Sequence, residues 1–284
     1  VKGGIDFHTH PLLVREMVQR HPGLAKVARE TFLIGNTFQP LETFLLELDT
    51  VGLDRAVILP IDAVSTRGTT VYSNEQIAEL CAMSDRLIGF ASVDPHRASA
   101  ADELERAIGD LHLRGLKLAP AMQQVFPDDP GLDPLYARAE ALDIPILFHA
   151  GMSWEPGSRL AYGQPLRFER VAAEHPRLRI VLAHLAWPWV MEAVALALKY
   201  PNVYLDTSAL YFDNPPDFLR FAMTVQVPLS VFERSLRRQL VFGSNYPRVE
   251  VKNMARAVRG LGLSDACLDL VFRSNAETLL GEAA

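Results

Sequence analysis

The sequence predicts an α/β fold, a (β/α)8 TIM barrel with residues 1–284 forming one domain. Three observations lead there. Short apolar runs recur eight times along the chain, amphipathic helical stretches separate them, and the repeat is roughly thirty residues, the length of a βα unit. The connections are also lopsided, terse on one side of the strands and long on the other.

The strands read in order as "GGIDFHTH" (3–10), "RAVILPI" (55–61), "RLIGFASV" (86–93) and "LRGLKLAP" (113–120). They continue as "IPILFHAG" (144–151), "RIVLAHLA" (179–186), "NVYLDTSA" (202–209) and "QLVFGSNY" (239–246). Near-continuous Val, Ile, Leu and Phe suit parallel strands buried on both faces. "SAADELERAIGDLH" (99–112) and "PWVMEAVALALKY" (188–200) are among the helical stretches between them. "TVGLDR", "EHPRLR" and "KYPNV" return from helix to strand, with Gly or Pro ending the helix. The outgoing links at 11–39, 62–73, 120–133 and 151–166 are long and polar. In a barrel those links gather at the C-terminal face, where sites are built. "SDACLDLVFRSNAETLLG" (264–281) reads as a closing helix. A doubly wound sheet is the competing architecture, and the Gly-rich phosphate turn that would announce it is missing.

Bulk properties narrow the function. With 49% hydrophobic residues the chain can bury a sizeable core, and a net charge of −6 without a basic run argues against nucleic acid or anionic membrane as partner. No apolar stretch approaches the roughly 20 residues of a membrane span. "VKGGIDFHTHP" enters a strand at once, with no signal-peptide core, and Cys81 and Cys267 are isolated. Both points fit a reducing cytoplasm. A small-molecule substrate is the expected partner.

Half of the eight histidines stand at strand ends. His8 and His10 are two apart on the first strand and share a face; His149 and His184 end the fifth and sixth strands. Imidazoles converging from separate strands are what a divalent cation requires. His21, His96, His112 and His175 lie in connections or at helix ends and read as surface or capping residues. By parity Asp6 shares the face of His8 and could orient a ligand imidazole; a structural carboxylate inside the barrel is the alternative. Lys117, Arg67 and Arg248 are candidates for gripping an anionic substrate, and a carboxylated Lys117 bridging two metals is a bolder option. Against these stands the ordinary role of arginine as a solvated rim charge. Trp154, Trp187 and Tyr246 could wall an apolar pocket or simply pack.

Taken together, "IDFHTHP", "GLKL", "FHAG", "LAHLAW", "VYLDTSA", "FGSNYP" and "SNAETLLG" make the chain resemble the amidohydrolase superfamily. The resemblance is to the branch containing aminocarboxymuconate-semialdehyde decarboxylase and related hydrolases, and it runs along essentially the whole length. It implies a distorted barrel holding one divalent ion, usually Zn2+, with His8, His10 and His149 as metal ligands. His184 then matches the histidine that polarises metal-bound water or substrate. Asn245 stands where the family carries a metal-binding, proton-shuttling aspartate. Family members often pair, so a homodimer is also expected.

The resemblance implies a metal-dependent hydrolase of a small carboxylated or cyclic metabolite (a lactone, amide or ester), with a non-oxidative decarboxylase of a small carboxylate, aromatic or not, as the rival. Asn245 adds a third reading, a barrel that binds metal or ligand without turnover. An amide can offer its carbonyl oxygen to an ion but cannot act as a base. Either His184 or Asp206 takes over that role, the residue was engineered to trap a ligand, or catalysis is lost.

Overall fold

A computed structural model describes residues 3–31, 33–154, 156–212 and 214–282. Phe32 and Glu155, inside two of the predicted long links, lie outside the described residues, as do Asp213 and positions 1, 2, 283 and 284. The strands in chain order are β1 (Gly4–Thr9), β2 (Leu53–Ile58), β3 (Ile61–Ala63), β4 (Thr69–Val71), β5 (Leu87–Gly89) and β6 (Ala91–Ser92). They continue with β7 (Leu116–Leu118), β8 (Ile146–Phe148), β9 (Ile180–Leu182), β10 (Val203–Asp206) and β11 (Leu240–Val241).

Two parallel sheets, β1-β2-β5 and β11-β10-β9-β8-β7-β6, together form one cylinder. The predicted third strand is interrupted at Phe90, which splits it into β5 and β6. That residue still bridges the two sheets: its N–H reaches Ile58 O at 3.0 Å, and the next N–H, of Ala91, reaches Gly115 O at 2.7 Å. On the other side Phe7 N–H donates to Phe242 O (2.8 Å), Asn245 N–H to His8 O (2.9 Å) and His10 N–H to Tyr246 O (2.7 Å). Counting β5 and β6 as one stave, eight staves close the barrel among the described residues, and the doubly wound alternative is excluded.

The inner layer of the barrel holds Ile5, Phe7, Val57, Phe90, Leu147, Val181, Tyr204 and Val241, and Ala276, Leu279 and Leu280 plug its N-terminal end. The plug belongs to the predicted closing helix, which runs from Asp265 to Leu279 with a π-helical turn over Leu270–Ser274. Phe7 and Phe90 meet edge to face with centroids 5.6 Å apart. Replacing either by Ala would cost about 3–5 kcal/mol through lost contacts and the remaining cavity. The outer faces of the same strands pack on helices such as Ala100–Gly109 and Val190–Lys199, giving the second core layer. Buried amides brace the terse return links: Asn202 Nδ2 meets the carbonyls of Ala172, His175 and Leu178, and Gln239 Nε2 those of Ala197, Tyr200 and Val203.

The long outgoing links are more ordered than the sequence suggests. The 62–73 link folds back as the β3–β4 antiparallel hairpin, with the short helix Val64–Arg67 at its tip. The 11–39 link carries helices Arg15–Arg20 and Gly23–Lys26 and is tied at its ends by a Val14–Gln39 bridge. Among the described residues no helix is long and apolar enough to cross a membrane.

Candidate metal centre and its pocket

A local irregularity in β1 builds the centre. Pairing with β2 shifts register between Asp6 and Thr9, so the strict alternation of sides breaks there. Phe7 therefore joins Ile5 in the apolar interior while His8 and His10 both line the pocket at the mouth. Space for His8 comes from Gly243, where a Cβ would lie 2.7 Å from the His8 Cβ.

The tautomers of the paired rings follow from their partners. His10 Nδ1 lies 2.8 Å from the Leu59 carbonyl, which can only accept, so the proton sits on Nδ1 and Nε2 is unprotonated. His8 Nδ1 lies 2.7 Å from Asp206 Oδ2, and a carboxylate imposes the same choice. The two Nε2 atoms then face each other at 3.2 Å. Lone pairs at that distance repel unless a cation sits between them. Two ligands about 2.1 Å from one ion span such a gap at an angle near 100°, close to tetrahedral.

Asp206 organises the third ring as well. Its Oδ1 accepts the backbone N–H of His184 (2.8 Å) and of Ser208 (3.0 Å) together with the Ser208 hydroxyl. With that hydroxyl proton given to Asp206, Ser208 Oγ accepts Nδ1–H of His184 at 2.8 Å, leaving Nε2 of His184 unprotonated. His184, Leu185 and Ala186 all have positive φ, 60°, 49° and 50°, a left-handed run that non-glycine residues adopt only under constraint. A cluster of His8, His184 and Asp206 brings three candidate ligand atoms within 4.8 Å of one another. Both oxygens of Asp206 are already filled by donors, however, so it acts as an orienting carboxylate, not as the base facing the mouth that the sequence allowed.

Burial sets the charge states. It pushes His8, His10 and His184 well below the usual imidazole range, with further lowering by Lys117 at His8, by His8 at His10 and by His149 at His184. His149 is brought down to about 4 by the same burial and by Lys117. All four rings are neutral at pH 7, the form a metal needs. Burial also draws Lys117 down to about 7 against the pull of Asp206.

The inner pocket has a volume of about 80 Å³ and is lined by His8, His10, Lys117, His149, His184, Asn245, Arg248 and Trp154, among others. His149 also lines the pocket, and its Nε2 lies 3.0 Å from Met152 O, which can only accept; the proton therefore sits on Nε2 and leaves Nδ1 as its ligand atom, whereas His8 and His10 present Nε2. Asn245 is buried at φ 65°, a conformation Asn tolerates, and its Nδ2 donates to Ala209 O at 3.0 Å. Arg67 lies outside this pocket and lines a larger chamber next to it.

In three places the structure chooses between alternatives that the sequence left open. Asp6 touches no imidazole ring: its Oδ1 accepts the N–H of His8 (3.1 Å) and Ser244 (2.9 Å), and burial lifts it to about 7. The register shift at β1 removes it from the face of His8. Trp187 packs on Tyr211 (4.7 Å between centroids) and Tyr246 stacks on Phe44 (4.6 Å), so neither walls the inner pocket. The sequence reading missed Ser208, although its shared parity with Asp206 in "LDTSA" was the available signal.

The chain is 26% identical over 250 residues to gamma-resorcylate decarboxylase of Rhodococcus jostii (strain RHA1), an alignment covering 73% of this chain and 74% of that protein. An uncharacterized TIM-barrel protein of Bordetella bronchiseptica superposes with a TM-score of 0.76 at 22% identity, covering 99% of each chain. A dihydroxybenzoic acid decarboxylase of Polaromonas sp. JS666, solved with bound manganese and the inhibitor 2-nitroresorcinol, superposes with a TM-score of 0.67 at 19% identity, covering 99% of this chain and 97% of that one. The amidohydrolase profile matches residues 5–281, nearly the whole chain, and the protein belongs to the amidohydrolase family.

Proposed function

We propose that this protein is an enzyme, a metal-dependent non-oxidative decarboxylase of a small aromatic carboxylate, using one divalent ion. The observation that carries the reading is the facing pair of unprotonated nitrogens on His8 and His10, 3.2 Å apart at the barrel mouth. Relatives named as decarboxylases, one of them holding manganese, support it. His8 and His10 would hold the ion, with His149 and the Asn245 carbonyl oxygen completing the set. A largely imidazole set favours Zn2+ over manganese.

When bound, the ion would supply Lewis acidity toward the oxygen atoms of the substrate. The chain's own residues divide the remaining work. Lys117 balances the negative charge of a carboxylate entering the inner pocket, Arg248 stands at its rim, and Trp154 offers a face to the ring. Loss of carbon dioxide leaves the bonding pair on the ring carbon, where a proton must replace it. Nε2 of His184, unprotonated at rest and fixed in direction by Ser208, is placed to take a proton from solvent and pass it to that carbon.

Asn245 can neither take a proton from water for hydrolysis nor give one to a ring carbon, so it does not separate the two chemistries. The relatives named as decarboxylases do, and the hydrolase reading stands second. Two unbridged thiols, Cys81 and Cys267, support a cytoplasmic setting.

The test is carbon dioxide release from gamma-resorcylate and related hydroxybenzoates by protein loaded with zinc or with manganese, with metal content measured alongside. Metal-dependent release is expected. Stoichiometric metal with no release from any hydroxybenzoate, but turnover of a lactone or ester, would transfer the assignment to the hydrolase.

A further inference from the structure

Beyond the inner pocket lies a chamber of about 930 Å³. The two share Thr31, Met122, Trp154 and Arg248 in their walls, so one opens onto the other. Apolar cavities of roughly 150 Å³ take up benzene. An inner pocket of about 80 Å³ therefore seats the reacting carboxylate, and the rest of an aromatic substrate extends into the outer chamber. Trp154 and Leu33, 62% and 77% exposed, offer apolar surface there that solvent alone would not favour.

Arg67 faces this chamber from the tip of the β3–β4 hairpin. The hairpin is held in place: Thr66 Oγ1 donates to Met122 O at 2.8 Å, fixing the tip against the helix Pro120–Gln123. The guanidinium itself is not satisfied. Its Nε and Nη2 are enclosed and meet no acceptor among the described residues. Leaving charged donors enclosed without an acceptor is costly, and a small turn of the side chain toward an anion in the chamber would recover that cost. Among the described residues the other charges on the wall are Glu30, paired with Lys26 at 3.8 Å, and Arg248, a second arginine at the neck.

We propose that the outer chamber is a second anion subsite, in which Arg67 receives a distal carboxylate of a substrate whose reacting carboxylate occupies the inner pocket. The preferred substrate is then an aromatic dicarboxylate, its ring against Trp154. This deepens the decarboxylase reading and rests on it.

Calorimetry on the metal-loaded protein tests the subsite by binding alone. The probes are benzoate, benzene-1,3-dicarboxylate, benzene-1,4-dicarboxylate and 4-carboxycinnamate. At least one dicarboxylate should bind about tenfold or more tighter than benzoate, as charge-assisted hydrogen bonds of about 1.5–3 kcal/mol imply. In Arg67→Gln the ratio of the two Kd values should fall toward one, and Arg67→Lys should keep part of it. Because a ratio within one variant is read, partial loss of folded protein does not disturb it. Benzoate binding with no dicarboxylate advantage, or an advantage that survives Arg67→Gln, overturns the subsite while leaving carbon dioxide release to judge the decarboxylase. Failure of every carboxylate to bind, benzoate included, overturns both.

Discussion

Replacing Asp206 by Asn tests whether the carboxylate sets the tautomer of His8. The side chains are nearly isosteric, and the carbonyl oxygen of the introduced amide can still accept the N–H groups of His184 and Ser208 now held at 2.8 and 3.0 Å. The amide nitrogen then stands 2.7 Å from His8 Nδ1, where Asp206 Oδ2 now accepts. An N–H pointed at Nδ1 forces the His8 proton onto Nε2, the atom that faces His10. The variant thus masks one ligand lone pair without removing a ligand. Loss of such an orienting partner typically weakens metal binding about 10- to 100-fold, or about 1.4–2.7 kcal/mol. Titration of metal-free protein with zinc in a calorimeter reads the effect, and circular dichroism confirms that the barrel is intact. A folded variant whose zinc affinity stays within about twofold of the parent would refute the tautomer argument and, with it, the assignment of an unprotonated Nε2 to His8.

Three further outcomes are expected. His8→Ala combined with His10→Ala should leave no bound metal by elemental analysis and no carbon dioxide release; retained stoichiometric metal would move the centre elsewhere. Asn245→Asp, at a backbone position that Asp also tolerates, should bind manganese about tenfold or more tighter while weakening benzoate; equal affinity for both would remove Asn245 from the centre. Lys117→Met should change how stability depends on pH. The folded Lys117 titrates near 7 and the unfolded one near 10.5, so below pH 7 both states hold the proton and the folded state carries the burial penalty. Between the two values only the unfolded chain holds it, and stability rises with pH. The midpoint of urea unfolding should climb from pH 7 to 9 in the parent and lose that climb in the variant; parallel curves would show that the ammonium is not desolvated.

What the sequence disclosed and what it hid have separate physical causes. All eight staves were legible because buried parallel strands need apolar side chains on both faces, and few other segments do. That His8, His10, His149 and His184 meet in one pocket was legible because a polar ring at the end of an apolar run has few structural uses. Of the two readings of Asp6 the structural carboxylate holds, because alternation is broken: one register shift in β1 puts Phe7 inside and moves Asp6 off the imidazole face. No residue in "DFHT" announces that shift. Likewise the left-handed run at His184, Leu185 and Ala186 is built from residues with no preference for it, and it persists because Asp206 holds the His184 N–H. The carbonyls of Leu59 and Met152, which engage His10 and His149, belong to the backbone and leave no mark in the sequence.

The charge distribution gives Asn245 a meaning beyond a missing base. Asp206 lies behind His8, one imidazole away from the gap between His8 and His10, with both oxygens occupied. The inner pocket itself presents four neutral rings, Lys117, Arg248 and the neutral amide of Asn245. A dication placed among them would leave the cavity strongly positive, and a low-dielectric wall strengthens that field. An aspartate at position 245 would cancel part of it. A neutral lactone or ester gains little from such a field, whereas a carboxylate gains directly. On this argument the asparagine favours an anionic substrate over a neutral one, which accords with the carboxylate proposed above.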